Sequence, residues 1–222
     1  MAQKRASGWH EASSPAALVR DLIEKGIYDK KLLDAFAQIR RADFIPVEFA
    51  SEAYRDEPVS IGHGQVTTQP SLIAVMVQAL RLTGPEKVLE VGTGFGFQTA
   101  ILSKLCQQVF SIERLADLAM TAESNLAKAG IRNVKVVVGD GSLGLPDHAP
   151  FDAVIVSAAA PNVPQPLIDQ LQDGGRLVQP IGPGGGETVT SFQKLQGRLT
   201  QREEITGAYF VPLLGTFGVQ KI

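Results

Sequence analysis

The amino-acid sequence predicts a three-layer, doubly wound α/β fold of the Rossmann-like type: a mostly parallel sheet with C-terminal antiparallel strands and an N-terminal helical cap. Three observations carry this. From residue 87 onward, continuous Val/Ile/Leu runs alternate with helix-length segments, the pattern of parallel strands covered on both faces. The first run, Val88–Val91, leads into Glu90-x-Gly92-x-Gly94-x-Gly96, a glycine loop between strand and helix of the kind that builds nucleotide-cofactor pockets. Two further acidic residues, Glu113 and Asp140, close the next two runs, at the sheet edge where such folds bind ligands.

Each element has a local reason. Pro15 to Lys25 reads as a helix, with Ser14 as N-cap, Pro15 at its first position and Gly26 as the stop. Asp29 caps a second helix, whose apolar residues Leu32, Leu33, Phe36 and Ile39 follow the 3.6-residue period. Pro46, Pro58, Gly62 and Gly64 break up residues 41–68, which read as irregular. Pro70 to Leu82 is apolar without a period of two and reads as a buried helix. Strands are then expected at Val88–Val91, Gln108–Glu113, Val134–Val138, Phe151–Ser157 and Gly175–Pro180. Helices are expected over 97–105, 115–129 and Pro164 to Leu171. Beyond the loop Gly182–Gly186, residues 188–205 read as a hairpin turning near Gly197, with a short strand around Tyr209–Leu213.

The chain reads as one domain, 1–222. It comprises a flexible N-terminus (1–14), a cap and substrate loop (15–82), a cofactor-binding core (83–182) and C-terminal strands (183–222). At 222 residues such a domain buries roughly 70% of its unfolded surface. With 21 basic and 23 acidic residues the net charge is −2, and the basic residues are dispersed, which argues against a nucleic-acid partner. No apolar stretch approaches the ~20 residues of a membrane helix, and Lys4-Arg5 is not followed by a signal-peptide core. The single cysteine, Cys106, excludes an intrachain disulfide and fits a reducing cytoplasm; it reads as a small buried hydrophobe. His10, His63 and His148 are too scattered for a metal site.

The glycine spacing is Glu-x-Gly-x-Gly-x-Gly rather than the Gly-x-Gly-x-x-Gly of dinucleotide folds, which favours S-adenosylmethionine as cofactor. Glu113 sits where an acid accepts from ribose hydroxyls, and Asp140, in Gly139-Asp140-Gly141, where one accepts from the adenine amine. For Glu90 two readings stand: it orients the glycine loop, or it lies near the positively charged methionine part of the cofactor. A nicotinamide oxidoreductase keeps a role for Glu113 but gives Asp140 none. A cofactor-binding protein without turnover is the third reading, and retention of Glu90, Gly92, Gly94, Glu113 and Asp140 argues against it.

A second group of motifs is more specific. Arg41-Ala42-Asp43-Phe44-Ile45-Pro46 precedes Ala53-Tyr54-Arg55-Asp56 and Ile61-Gly62-His63-Gly64-Gln65-Val66-Thr67-Thr68-Gln69-Pro70. Glu90-Val91-Gly92-Thr93-Gly94 with Gln98-Thr99, then Gly139-Asp140-Gly141, and Ala149-Pro150-Phe151-Asp152-Ala153-Val154-Ile155-Val156 with Ala158-Ala159-Ala160-Pro161 follow. Asp173-Gly174-Gly175-Arg176-Leu177-Val178 and Phe210-Val211-Pro212-Leu213 complete the set. In order and spacing, from about residue 15 to the C-terminus, the chain resembles the protein-L-isoaspartate (D-aspartate) O-methyltransferase family.

The resemblance implies a class I S-adenosylmethionine-dependent methyltransferase fold. It implies methyl transfer to the free α-carboxylate of L-isoaspartyl residues in damaged proteins and peptides, leaving S-adenosylhomocysteine. The ester then closes to a succinimide that hydrolyses partly to aspartate. It implies Glu90, Gly92, Thr93, Gly94, Glu113, Asp140 and Gly141 binding the cofactor, Thr68 as the catalytic hydroxyl, and Gln65, Thr67, Thr68 and Val211 binding substrate; a monomer is expected. Thr68 stands where the family holds serine, Val66 where it holds threonine and Thr67 where it holds isoleucine. The alternative reading of Thr68 is the N-cap of the helix starting near Pro70. The change at Thr68 also keeps open a related carboxyl methyltransferase with a dedicated acceptor. Ser142 stands where an aromatic residue is common, which implies looser packing on the adenine side.

Overall fold

The computed structural model describes residues 14–183 and 185–220; the expected N-terminal arm with Trp9 and His10 lies outside them. The cap begins with α1 (Pro15–Glu24), where Ser14 Oγ accepts from the Ala17 amide, and α2 (Lys30–Gln38), where the Asp29 carboxylate accepts from Leu32. Both caps are the expected ones, because a side chain two or three residues from an unpaired helix amide reaches it without help from the rest of the fold.

Residues 41–68, expected to be irregular, hold two 3₁₀ turns, Arg41–Phe44 and Val47–Glu52. They also hold a hairpin of β1 (Val59–Gly62) and β2 (Gln65–Thr67), paired antiparallel. Its turn places Gly62, His63 and Gly64 at positive φ. Such short strands carry too little alternation to register as a period of two. Helix α3 (Pro70–Leu80) follows, ending on Arg81 in the left-handed region.

The main sheet comprises β3 (Lys87–Val91), β4 (Gln108–Glu113), β5 (Val134–Val138), β6 (Phe151–Val156), β7 (Leu171–Ile181), β8 (Glu187–Leu195) and β9 (Arg198–Ala208). Its spatial order is β5-β4-β3-β6-β7-β8-β9. β3 to β7 pair in parallel, and β8 and β9 add antiparallel. The expected strand at Tyr209–Leu213 does not form: this segment makes one bridge, Ala159 to Pro212. It runs past β6 for too short a distance to build a ladder.

Alternate residues of β3 and β6 enter two cores. Val88, Ala153 and Ile155 join Leu18, Leu22, Leu32, Phe36, Ile73 and Leu80 from the cap helices and Ile101 from α4 (Phe97–Ser103). Leu89, Val91, Val154 and Val156 pack on the opposite face with Leu167 of α6 (Gln165–Gln170), Phe110, Phe151 and Leu213. α5 (Ala116–Lys128) contributes Leu126 to the first core. Cys106 is buried, and burial pushes its thiol up to about 12. Among the described residues no helix is long and apolar enough to cross a membrane. The chain winds outward from β3 to β5, then crosses back to β6. β3 and β6 are therefore neighbours at the topological switch point, outside whose carboxyl ends such folds bind ligands.

Candidate active site

The loop after β3 is shaped by its glycines. Gly94 sits at φ +56, and a Cβ there would stand 3.3 Å from Ile61 of the β1–β2 hairpin. Gly141, across the crevice, is closed in from behind: a Cβ would meet Val91 Cγ1 at 2.4 Å. The backbone therefore forms the cavity wall at these points.

Glu90 is completely buried beneath this loop. It accepts from Gln98 Nε2 at 3.0 Å, Thr99 Oγ1 at 2.5 Å and Ser111 Oγ at 2.6 Å. Burial pushes its carboxyl up to about 7, against the pull of these three donors. Of the two readings, the contacts match the orienting one: Glu90 ties the start of α4 to β4. Thr93 Oγ1 joins the network through Ser111 Oγ at 2.5 Å.

Glu113 ends β4 and accepts from the Gly94 and Leu115 amides, both at 3.0 Å. Asp140 follows β5, accepts from the Ser142 amide (2.9 Å) and hydroxyl (2.6 Å), and from the Thr216 amide at 2.7 Å. Burial raises the Asp140 carboxyl, and these hydrogen bonds outweigh it, leaving the group below its ordinary value. Ser142 is fully buried and its Oγ also accepts from Phe217 at 3.0 Å. The looser packing expected at Ser142 is not what the structure has: the segment around Gly215–Phe217 closes over it, where a larger side chain would collide.

These residues meet around three adjoining cavities. One, of about 70 Å³, is bordered by Gln65, Thr67, Thr68, Gly92, Thr93, Gly94, Gln98, Glu113 and Val211, among others. A second, of about 180 Å³, is bordered by Gln65, Gly92, Glu113, Gly141 and Val211. The third is a groove of about 780 Å³ between α3 and the stretch Ile205–Val211, and it includes Val66 and Thr68. Asp140 and Glu90 stand behind these walls.

Thr68 is half-buried, and it is not the cap of α3. The first turn of that helix is held instead by Asp56, which accepts from Ser71 N at 2.7 Å and Gln69 Nε2 at 2.9 Å and pairs with Lys25. The Thr67 hydroxyl points inward, accepting from Arg41 Nη2 at 3.0 Å and Val59 N at 3.1 Å. Arg41 is fully buried. It also donates to the carbonyls of Ala53, Arg55 and Glu57, so one guanidinium fastens the loop before β1 to β2, directly ahead of Thr68. His63, at the hairpin tip, contacts Asp117 of α5. Arg41, Asp56 and Ser157 emerge only here. Ser157 had a signal, its place at the end of the expected strand Phe151–Ser157; the other two act through partners distant in sequence.

The cavities fit S-adenosylmethionine on the donor set alone. Glu113 borders the two smaller cavities at the end of β4, and Gln98, which borders the smallest, keeps its buried Oε1 without a partner among the described residues, an acceptor suited to an ammonium group.

Comparison with known proteins agrees. The family model described as protein-L-isoaspartate(D-aspartate) O-methyltransferase matches residues 13–217. A protein-L-isoaspartate O-methyltransferase of Myxococcus xanthus is 46% identical over 197 residues, 87% of this chain and 93% of that one. Another, from Methylorubrum populi, is 44% identical over 208 residues, 94% and 98% of the two chains. A solved protein-L-isoaspartate O-methyltransferase superposes with a TM-score of 0.81 at 27% identity, covering 92% of this chain and 67% of that one. A Plasmodium falciparum protein, solved with S-adenosyl-L-homocysteine, shares the fold at a TM-score of 0.79 and 24% identity, covering 90% and 98%. With these motifs in these places on this fold, the chain belongs to the protein-L-isoaspartate(D-aspartate) O-methyltransferase family.

Proposed function

We propose that the three adjoining cavities form one methyl-transfer site, with cofactor on the Gly92–Gly94 side and an isoaspartyl peptide in the groove beside Thr68. The enzyme methylates the α-carboxylate of L-isoaspartyl residues and so starts their repair through a succinimide. The observation that carries this reading is the position of Thr68, on the rim shared by the smallest cavity and the groove.

S-adenosylmethionine supplies a methyl group on a sulfonium that needs no acid to leave. The acceptor carboxylate, with an ordinary pKa of about 4, is ionised at neutral pH and needs no base. The residues therefore have to bind, align and exclude water. Glu113 holds Gly94 N and keeps further acceptor capacity for ribose hydroxyls; Asp140, bonded to Ser142 and Thr216 behind the wall, would shape the adenine side through that segment rather than by direct contact. Gln65 and Val211 wall the approach, and the Arg41–Thr67 bond holds β2 in place. The Thr68 hydroxyl donates to the acceptor carboxylate; threonine retains the donor of serine and stiffens χ1. Proteins and peptides carrying isoaspartate are the partners, met by a monomer in the cytoplasm.

The test is methyl transfer from labelled S-adenosylmethionine to a matched peptide pair with isoaspartate or aspartate at one position. Labelling of the isoaspartyl peptide alone is expected. Labelling of neither, with cofactor binding intact, would hand the site to a dedicated acceptor. Thr68→Val should lower kcat/KM about tenfold or more, the value of one hydrogen bond to a charged group, with cofactor affinity unchanged. Equal turnover would remove Thr68 from this role.

A further inference from the structure

Ser157 follows β6 directly, and its amide donates to Val91 O at 2.8 Å, which fixes its backbone at the junction of β3 and β6. It borders all three cavities. Thr68 borders two of the same three, the smallest cavity and the groove. The two residues thus share the passage between the space assigned to cofactor and the space assigned to peptide.

The hydrogen bonds around Ser157 leave it with a proton to give. Its Oγ accepts from Gln98 Nε2 at 2.9 Å. Gln98 is buried and is itself held by Glu90 Oε1 at 3.0 Å. That contact uses an acceptor site of the serine oxygen and not its O–H, for which the described residues provide no acceptor. A hydroxyl offers one donor besides its acceptor sites, and one placed at a substrate passage with its oxygen already anchored is a pre-oriented donor. A carboxylate presents two oxygens, and one hydroxyl satisfies only one of them.

We propose that Ser157 is a second carboxylate-binding residue: its O–H donates to one oxygen of the isoaspartyl α-carboxylate while Thr68 donates to the other. Gln98 and Glu90 hold the serine oxygen in place for this. Two donors from different segments, one on the chain after β6 and one after β2, fix the plane of the carboxylate as well as its position. No proton is transferred, so the role lies in binding and alignment. This inference rests on the isoaspartyl reading above.

The experiment compares wild type, Ser157→Ala and Ser157→Thr with one isoaspartyl hexapeptide. Methylation kinetics are read beside peptide affinity, by fluorescence anisotropy at saturating S-adenosylhomocysteine, and S-adenosylhomocysteine affinity, by calorimetry. Ser157→Ala is expected to weaken peptide binding and raise KM about tenfold. Cofactor affinity should stay within about twofold, and Ser157→Thr should recover most of the loss. A purely structural serine, serving only to satisfy Gln98, would move cofactor affinity and thermal stability and leave peptide affinity alone; that result overturns the proposal. So does a Ser157→Ala enzyme with unchanged peptide affinity and KM, or a Thr variant no better than Ala. Failure of wild type itself to label the isoaspartyl peptide is a separate outcome: it refutes the activity reading, and the proposal with it.

Discussion

Replacing Glu90 by glutamine should make the protein less sensitive to rising pH. Glu90 is buried on every side and keeps its proton in the folded protein up to about pH 7, because burial disfavours its charge more than Gln98, Thr99 and Ser111 stabilise it. In the unfolded chain the same carboxyl releases its proton near its ordinary value of 4.5. Between those two values the folded state holds more protons than the unfolded state, so stability falls as pH rises through the interval. The separation from 4.5 to about 7, at about 1.4 kcal/mol per pH unit, amounts to about 3 kcal/mol. About 2–3 kcal/mol of that develops between about pH 5 and pH 8. Glutamine cannot ionise, and its altered hydrogen bonds give an offset that is the same at every pH. Urea unfolding of both proteins at intervals across this range reads the effect as the difference between their curves, in which the other titrating groups cancel. Wild type should lose about 2–3 kcal/mol relative to Glu90→Gln on going from about pH 5 to pH 8. Parallel curves would refute a shifted Glu90 and with it the reading of this carboxyl as a deeply desolvated group.

Arg41→Met should destabilise the protein by about 3 kcal/mol, because it strands three carbonyls and the Thr67 hydroxyl around a buried site; chemical denaturation measures it, and a loss under about 1 kcal/mol would show that water replaces the guanidinium. The same variant should impair peptide methylation more than cofactor binding, since the fastened segment carries Thr68. Glu113→Ala should weaken S-adenosylmethionine about 10–100-fold, through lost ribose contacts and the released Gly94 amide; unchanged calorimetric affinity would place the ribose elsewhere.

What the sequence revealed follows the range of the forces involved. Ser14 and Asp29 cap helices three residues away, and the buried strands β3, β4 and β6 announce themselves as unbroken Val/Ile/Leu runs, so both were legible. The helix cap at α3 was not: Asp56, 15 residues upstream of the Ser71 amide it accepts from, does what the adjacent Thr68 was a candidate to do. The inward turn of Thr67 depends on Arg41, 26 residues away, and no local pattern reports such a pairing. Tyr209–Leu213 has the composition of a strand, yet only Pro212 makes a bridge, to Ala159 just past β6, because pairing needs a neighbour of matching length. The strand-end positions of Glu113 and Asp140 were legible, whereas Ser157 read as the last residue of a strand and nothing local reported its bond to Gln98, 59 residues away.

The contact of Asp140 with the Thr216 amide has a consequence for how the enzyme is assembled. Every strand of the main sheet is laid down by Ala208, and both apolar cores take nearly all of their buried residues from earlier segments. The stretch from Val211 to Phe217 adds little to that framework, but it supplies one wall of each cavity and the lid over Ser142. The framework and this part of the site's wall are thus written in different parts of the chain. Truncation or masking of that stretch should leave the sheet and most of both cores in place while opening the wall it gives the three cavities.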